Sequence, residues 1–317
     1  MEGNDPQMQI SVILCTHNPR MDYLQRVLAA LARQTLPATT WEVVLVDNAS
    51  HPPIPTACLN GFSNFRLIHE GTLGKPNALM AGIAASTGEL LVTVDDDNIL
   101  EPDYLAQLLV LHRENPQVGV FGASIKAEYE APPPPFIEFY ASYLAIRDLT
   151  QDIVGDATTP HSSPIGAGMG LLRSVAESYV IRAQSNLGLL AFGRKGTSLQ
   201  SAADDTLFGY LAQSLGYKCG AFRALRLTHL IPQRRLTEEY LQALAEGVTR
   251  SHLYLAYVRG AQQPSRYRFL RWQAGNLIWR LHPDVHLSRF CRAILRGRIK
   301  ANRDFKRQPT DQSRSRE

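Results

Sequence analysis

Three adjacent carboxylates, Asp95, Asp96 and Asp97, close an apolar, β-branched run over residues 90–94. Neighbouring like charges repel, and a divalent cation is the usual compensation. Oxygen donors with nothing softer beside them suit Mg2+ or Mn2+. A calcium loop would need a glycine and a distal glutamate at fixed offsets, where Leu100 and Ala106 stand. A phosphatase with an aspartyl nucleophile would want a hydroxyl soon after its acids, and Asn98-Ile99-Leu100 supplies none. A solvated acidic turn is the plainer alternative; it fits poorly with acids that end a run of buried type.

Other groups able to do chemistry recur at the ends of similar runs. Thr16-His17-Asn18 follows the run at 10–15, and Asp47-Asn48 follows the run at 41–46. A turn with two glycines and a lysine, Gly71 to Asn77, carries Gly74, Lys75 and Asn77. Asp204 and Asp205 fall in the first turn of a helix that Gly216 closes, where carboxylates interact favourably with the helix dipole. Arg234 and Arg235 follow a strand over residues 225–232, and their fork geometry suits a diphosphate.

The elements that must position these groups follow from periodicity. Short apolar runs at 10–15, 41–46 and 90–94 predict buried strands, and residues 65–69 a further, shorter strand. Between them, Leu24, Val27, Leu28 and Leu31, then Leu79, Ile83 and Ala84, fall at helical spacing, with Asp22 a candidate cap for the first helix. Strand alternating with helix predicts an α/β fold with a mostly parallel, Rossmann-like sheet flanked by helices. In such a sheet the polar clusters share the carboxyl edge, a convergence that suits the base, ribose and diphosphate of a nucleotide. Two familiar nucleotide motifs are missing. Lys75 is followed by Pro76 rather than a hydroxyl residue, and no G-x-G-x-x-G follows the first strand.

The order Thr16-His17-Asn18, Asp47-Asn48-Ala49-Ser50, Gly74-Lys75-Pro76-Asn77 and Val94-Asp95-Asp96-Asp97 resembles the inverting family 2 glycosyltransferases of GT-A fold. The resemblance covers residues 10–250 and implies a metal-dependent transfer of a sugar from a nucleoside-diphosphate sugar to an acceptor hydroxyl, a hexosyltransferase type of activity. It implies donor-binding roles for Thr16, His17, Asn18, Asp47, Asn48, Gly74, Lys75, Asn77, Asp95, Asp96 and Arg235. In this resemblance Asp47 faces the base, Asp95 and Asp96 lie near ribose and sugar, and the D-x-D acid Asp97 takes the metal with His229. Asp204-Asp205 stands where the family carries Glu-Asp. That implies Asp205 as the general base, with Asp204, shorter than the family's Glu, supporting it. The small-residue segment Ser163 to Gly170 would lie beside the donor sugar and acceptor. Two rivals remain: a catalytically silent sugar-nucleotide-binding protein of the same fold, and a nucleotidyltransferase, whose Gly-rich basic loop Thr16-His17-Asn18-Pro19 does not match.

The chain has 317 residues, 44% hydrophobic and 20% charged, with a net charge of +4, ordinary for a globular protein. The four cysteines form no C-x-x-C pair, which argues against a zinc site or disulfide framework. The first residues carry no targeting pattern and no apolar run reaches bilayer length, so the expected location is cytoplasmic, with any membrane contact peripheral. The expected organisation is a GT-A domain over 1–235, its nucleotide half ending near 130 and its acceptor half at 131–235. A helical region over 236–303 and a basic disordered tail over 304–317 follow. Phe139, Tyr140 and Tyr143 mark an aromatic helix face, and the basic-aromatic stretch 266–281 reads either as a C-terminal helix packed on the domain or as a membrane-surface helix; the acceptor could be lipid-linked. Nucleic acid is not an expected partner.

Overall fold

The computed structural model describes residues 8–157, 159, 162, 165–185 and 204–307. They divide into two compact units. The first comprises the described residues within 8–132, 144–185 and 204–233; the second comprises 133–143 and 234–307.

In the first unit, β1 (Ile10–Thr16), α1 (Met21–Ala32), β2 (Trp41–Asn48), β3 (Phe65–Glu70), α2 (Lys75–Ala85) and β4 (Leu90–Asp95) are the strand–helix alternation expected from the runs. β5 (Asn98–Leu100), α3 (Tyr104–Glu114), β6 (Val118–Tyr129), β7 (Ile153–Gly155), β8 (Met169–Leu172), α4 (Arg173–Ser185), α5 (Asp204–Ser214) and β9 (Lys218–Ile231) complete it. The sheet runs β3-β2-β1-β4-β8-β6-β9-β5, with β7 on β9. The first four strands are parallel. The sheet then becomes mixed: β8 is antiparallel to both β4 and β6, β6 and β9 are parallel, and β5 and β7 lie antiparallel on β9.

β1 and β2 are buried almost throughout, as runs without polar alternation should be in a parallel sheet. α1 buries Tyr23, Leu24, Val27, Leu28 and Leu31, the face read from the spacing; each fully buried leucine or valine contributes roughly 2 kcal/mol. Asp22 does not cap α1. Arg20 occupies the cap position, and Asp22 sits inside the first turn, paired with Arg20 at 2.6 Å.

The amino ends of the strands are clamped by a buried glutamate. Glu42 Oε1 accepts from Ser11 Oγ, Thr87 N and Thr87 Oγ1, each at 2.7 Å, and Oε2 meets Arg66 Nε at 3.2 Å. A Cβ on Gly88 would stand 2.5 Å from Ser11 N, so only glycine lets the chain pass this clamp. Burial pushes the Glu42 carboxyl up, but the Ser11 and Thr87 hydrogen bonds and Arg66 outweigh it, leaving the carboxyl below its ordinary 4.5. A depressed folded-state value stabilises the fold above the ordinary value and loses that contribution as pH falls through the folded one. Glu42→Gln is therefore expected to cost about 1–3 kcal/mol at pH 7 and to flatten the acid side of the stability profile, measured by urea unfolding from neutral to acid pH.

The second unit holds α6 (Glu238–Val258), α7 (Arg266–Ile278) and α8 (Val285–Arg307). The aromatic segment expected as a helix is a 3-10 stretch, Pro135–Leu144, preceded by Pro132–Pro134. Its rings serve packing: Phe139, Tyr140 and Tyr143 surround Phe290 of α8. The tail expected to be disordered from residue 304 begins instead as the last turn of α8. There Asp304 pairs with Arg250 at 2.7 Å, and Phe305 packs on Tyr254 and Tyr257. Residues 308–317 lie outside the described residues.

Candidate active site

The parallel register places Thr16 beside Asp47 and Cys15 beside Asp95, so the polar clusters of β1, β2 and β4 share one carboxyl edge. His17 Nδ1 donates to Asn48 O at 2.7 Å, which leaves Nε2 to accept from Asn18 Nδ2 at 3.1 Å. Asn18 takes a left-handed φ of 48°, and its Oδ1 accepts from His51 N at 2.8 Å. Asp47 is buried and holds its own loop, accepting from Ser50 N at 3.1 Å and Ile54 N at 3.0 Å. The Asp47 carboxyl is pushed up by burial and, more strongly, down by these bonds and by His69, so it lies below its ordinary value. Asn48 staples the glycine turn: Nδ2 donates to Glu70 O and Thr72 O, and Oδ1 accepts from Gly74 N at 2.7 Å. Asn77 Nδ2 adds a bond to Thr72 O at 3.2 Å. This fixes the start of α2, from which Lys75 Nζ reaches Asp95 Oδ1 at 2.7 Å. Thr16 Oγ1 donates to Asp96 Oδ2.

Asp97 and His229 meet through a pairing that the sequence does not advertise. β5 lies antiparallel on β9 with Asn98 opposite His229, and Leu230 N donates to Asp97 O at 2.8 Å. His229 Nδ1 donates to Leu144 O at 2.9 Å, so Nε2 faces Asp97 Oδ2, 3.5 Å away. Both side chains are buried, and Asn98 Nδ2 holds the other Asp97 oxygen at 3.0 Å. A buried carboxylate facing an imidazole nitrogen, each oriented by a second hydrogen bond, is a donor pair suited to a cation. Among the described residues no cluster of three or more such side chains stands ready to hold a metal alone.

Asp205, in the first turn of α5, reaches the same edge through the glycine segment. Gly166 N donates to Asp205 Oδ2 at 3.2 Å, and Thr93 of β4 donates through Oγ1 to Gly166 O at 3.0 Å. A Cβ on Gly166 would lie 3.5 Å from Asp205 Cβ and 4.0 Å from Lys75 Nζ. The acid of α5 and the lysine beside Asp95 thus flank one small residue. Gly168, at φ +64°, turns the chain back into β8, and its carbonyl accepts from Tyr104 Oη. Ser163 and Pro164 lie outside the described residues, as does the side chain of Asp204. Arg235 falls in the second unit.

The residues matched by the family description "Glycosyl transferase family 2" are 11–179, more than half of the chain, and include every strand end of this edge except the β9 histidine. The chain belongs to glycosyl transferase family 2. It is 28% identical over 103 residues to the putative glycosyltransferase EpsH of Bacillus subtilis, covering 32% of this chain and 29% of that protein. It is 29% identical over 117 residues to the uncharacterized glycosyltransferase alr2836 of Nostoc sp., covering 36% and 35%. The matches thus span about a third of those relatives' lengths. Among solved structures, the mannosyltransferase PcManGT from Pyrobaculum calidifontis in complex with GDP-Man and Mn2+ superposes with a TM-score of 0.55 at 18% identity, covering 95% of this chain and 88% of that one. S. aureus TarS 1-349 in complex with UDP-GlcNAc superposes at 0.51 with 15% identity, covering 94% and 92%. These likenesses show the GT-A fold.

Sequence reading passed over four neighbours of the family 2 site: Thr93, Tyr104, Asn98 and Arg147. Arg147 is partly buried, with Nε and Nη2 donating to Ala123 O. Burial lowers its guanidinium to about 10, against the opposing charge of Asp205. No local motif marks any of the four; Thr93 alone, a hydroxyl within an apolar run, carried a hint.

Proposed function

We propose that the first unit transfers a sugar from a nucleoside-diphosphate sugar to an acceptor hydroxyl with inversion at the anomeric carbon. The observation that carries this is the meeting of Asp205 and Lys75 across Gly166, beside the acids that end β4. A carboxylate able to take a proton and a lysine able to hold a diphosphate flank the same glycine, a pairing that displacement at an anomeric carbon can use. Support also comes from the structural neighbours of the same fold, described with UDP-GlcNAc and with GDP-Man and Mn2+.

In this reading Thr16, His17, Asn18, Asp47 and Asn48 shape the nucleoside end, and Lys75 with Asn77 and the Gly74 turn faces the phosphates. Asp95 and Asp96 orient ribose and sugar. Asp205 accepts the acceptor's proton as its oxygen bonds to the anomeric carbon; the bond from that carbon to the diphosphate oxygen breaks, and the nucleoside diphosphate leaves with the electron pair. Asp97 and His229 would hold a divalent cation with phosphate and water oxygens completing its shell, as magnesium and manganese sites commonly do. Bound there, the cation supplies neutralisation of charge growing on the leaving group.

A thermal-shift series of nucleoside-diphosphate sugars, with and without manganese, tests this. A donor at a hundred times its Kd stabilises the fold by about 2.7 kcal/mol, raising Tm by roughly 5 °C. The matching donor is expected to do so with manganese present and to give a smaller shift in chelator. A flat response to every UDP-, GDP-, dTDP- and CMP-sugar, with metal or without, would remove the proposal's basis.

A further inference from the structure

The second unit carries an apolar stripe that its own packing does not use. α7 buries one face: Trp272 lies inward between Arg268 and Arg298, and a Cβ on Gly275 would stand 3.3 Å from Leu295 Cδ1 of α8. The opposite face, at spacings of three, four and seven, presents Tyr267, Leu270, Ala274, Leu277 and Ile278 and continues to Leu281. These are not grazing exposures: Tyr267 is 71% exposed, Leu277 59%, Ile278 66% and Leu281 86%. Arg266, Arg271 and Arg280, all exposed, border the stripe.

The charge of the surrounding chain is one-sided. Between residues 247 and 303 there are eleven arginines and one lysine against a single acid, Asp284. Arg250, Arg289, Arg296 and Lys300 of this set pair with Asp304, Glu238 and Glu246, whereas Arg266, Arg271 and Arg280 lie exposed along the stripe. An apolar helix face rimmed by exposed arginines fits a surface that is negative outside and apolar beneath. α7 has thirteen residues, too few to cross a bilayer, and no helix among the described residues is long and apolar enough to do so. The arrangement matches a helix lying in the interface, its leucines between acyl chains and its guanidiniums among anionic headgroups.

We propose that α7 docks the chain on the surface of an anionic lipid bilayer through the stripe Tyr267–Leu270–Leu277–Ile278–Leu281 and its bordering arginines. Docking would hold the enzyme where hydroxyl acceptors carried on lipid are concentrated, but the inference concerns binding alone and needs no sugar transfer to be measured.

The test is co-sedimentation of the full chain with phosphatidylcholine vesicles, with and without phosphatidylglycerol, alongside light scattering of the lipid-free protein. Partition is expected to be about tenfold stronger on the anionic vesicles and to weaken as salt rises. Leu270→Ser with Ile278→Ser, both outside the packed face, is expected to lower partition about tenfold while leaving the unfolding midpoint in place. Arg271→Gln with Arg280→Gln is expected to lower it on anionic vesicles only. Equal partition on both vesicle types, or full retention by the serine variant, would overturn the proposal. A lipid-free dimer that the serine variant disperses would also overturn it, assigning the stripe to a second copy of the chain.

Discussion

Asp205→Asn is expected to lower kcat by on the order of a thousandfold while leaving the Kd for the nucleotide-sugar donor within about twofold. The amide keeps the shape of the carboxylate; Gly166 N and Thr206 N bind different carboxylate oxygens, so the single amide oxygen keeps one of the two contacts. It cannot take a proton, and loss of a general base costs about 10²–10⁴ in rate. Single-turnover transfer and donor titration, run on the same preparation, separate the two quantities. Retained turnover would move the base elsewhere. A donor Kd that rises with the fall in kcat would show that the side chain holds the donor rather than the acceptor's proton.

Asp97→Ala is the second large effect. It is expected to weaken manganese-dependent donor binding by about 10- to 100-fold, with little change in binding measured in chelator. The buried Asp97 carboxylate lies 3.5 Å from His229 Nε2, and alanine would leave the imidazole as the lone side-chain donor of that pair. Isothermal titration of donor with manganese and with EDTA checks this. Equal affinity of wild type and variant in manganese would take Asp97 out of the cation's shell. A matching loss in EDTA would instead indicate a collapsed pocket.

The parts of the fold that were legible share a physical cause. β1, β2 and β4 are apolar runs closed by polar residues, and a strand buried on both faces can hardly be written otherwise. Their parallel register then followed, and with it the common edge. β5, with three residues, and β8, with four, are too short for a period to develop, so the mixed half of the sheet was hidden. β9 begins at Lys218, ahead of the expected strand, in a stretch where glycine and arginine interrupt the pattern and the register with β6 shifts. The site divides the same way. Lys75 and Asp95 could be placed from strand ends alone, whereas the contact of Asp97 with His229 depends on the β5–β9 pairing, and that of Asp205 with Gly166 on how a glycine segment folds back on Thr93. The aromatic stretch 135–144 differs from an α-helix only in its tighter turn, which ring spacing does not distinguish.

The Glu42 clamp has one further consequence. It grips the strands at their amino ends, while every group proposed to handle donor or acceptor stands at their carboxyl ends. Endurance and selectivity are therefore written into opposite rims of the same strands. A lineage can swap residues on the working rim in pursuit of a new sugar without loosening the buried knot that steadies the fold.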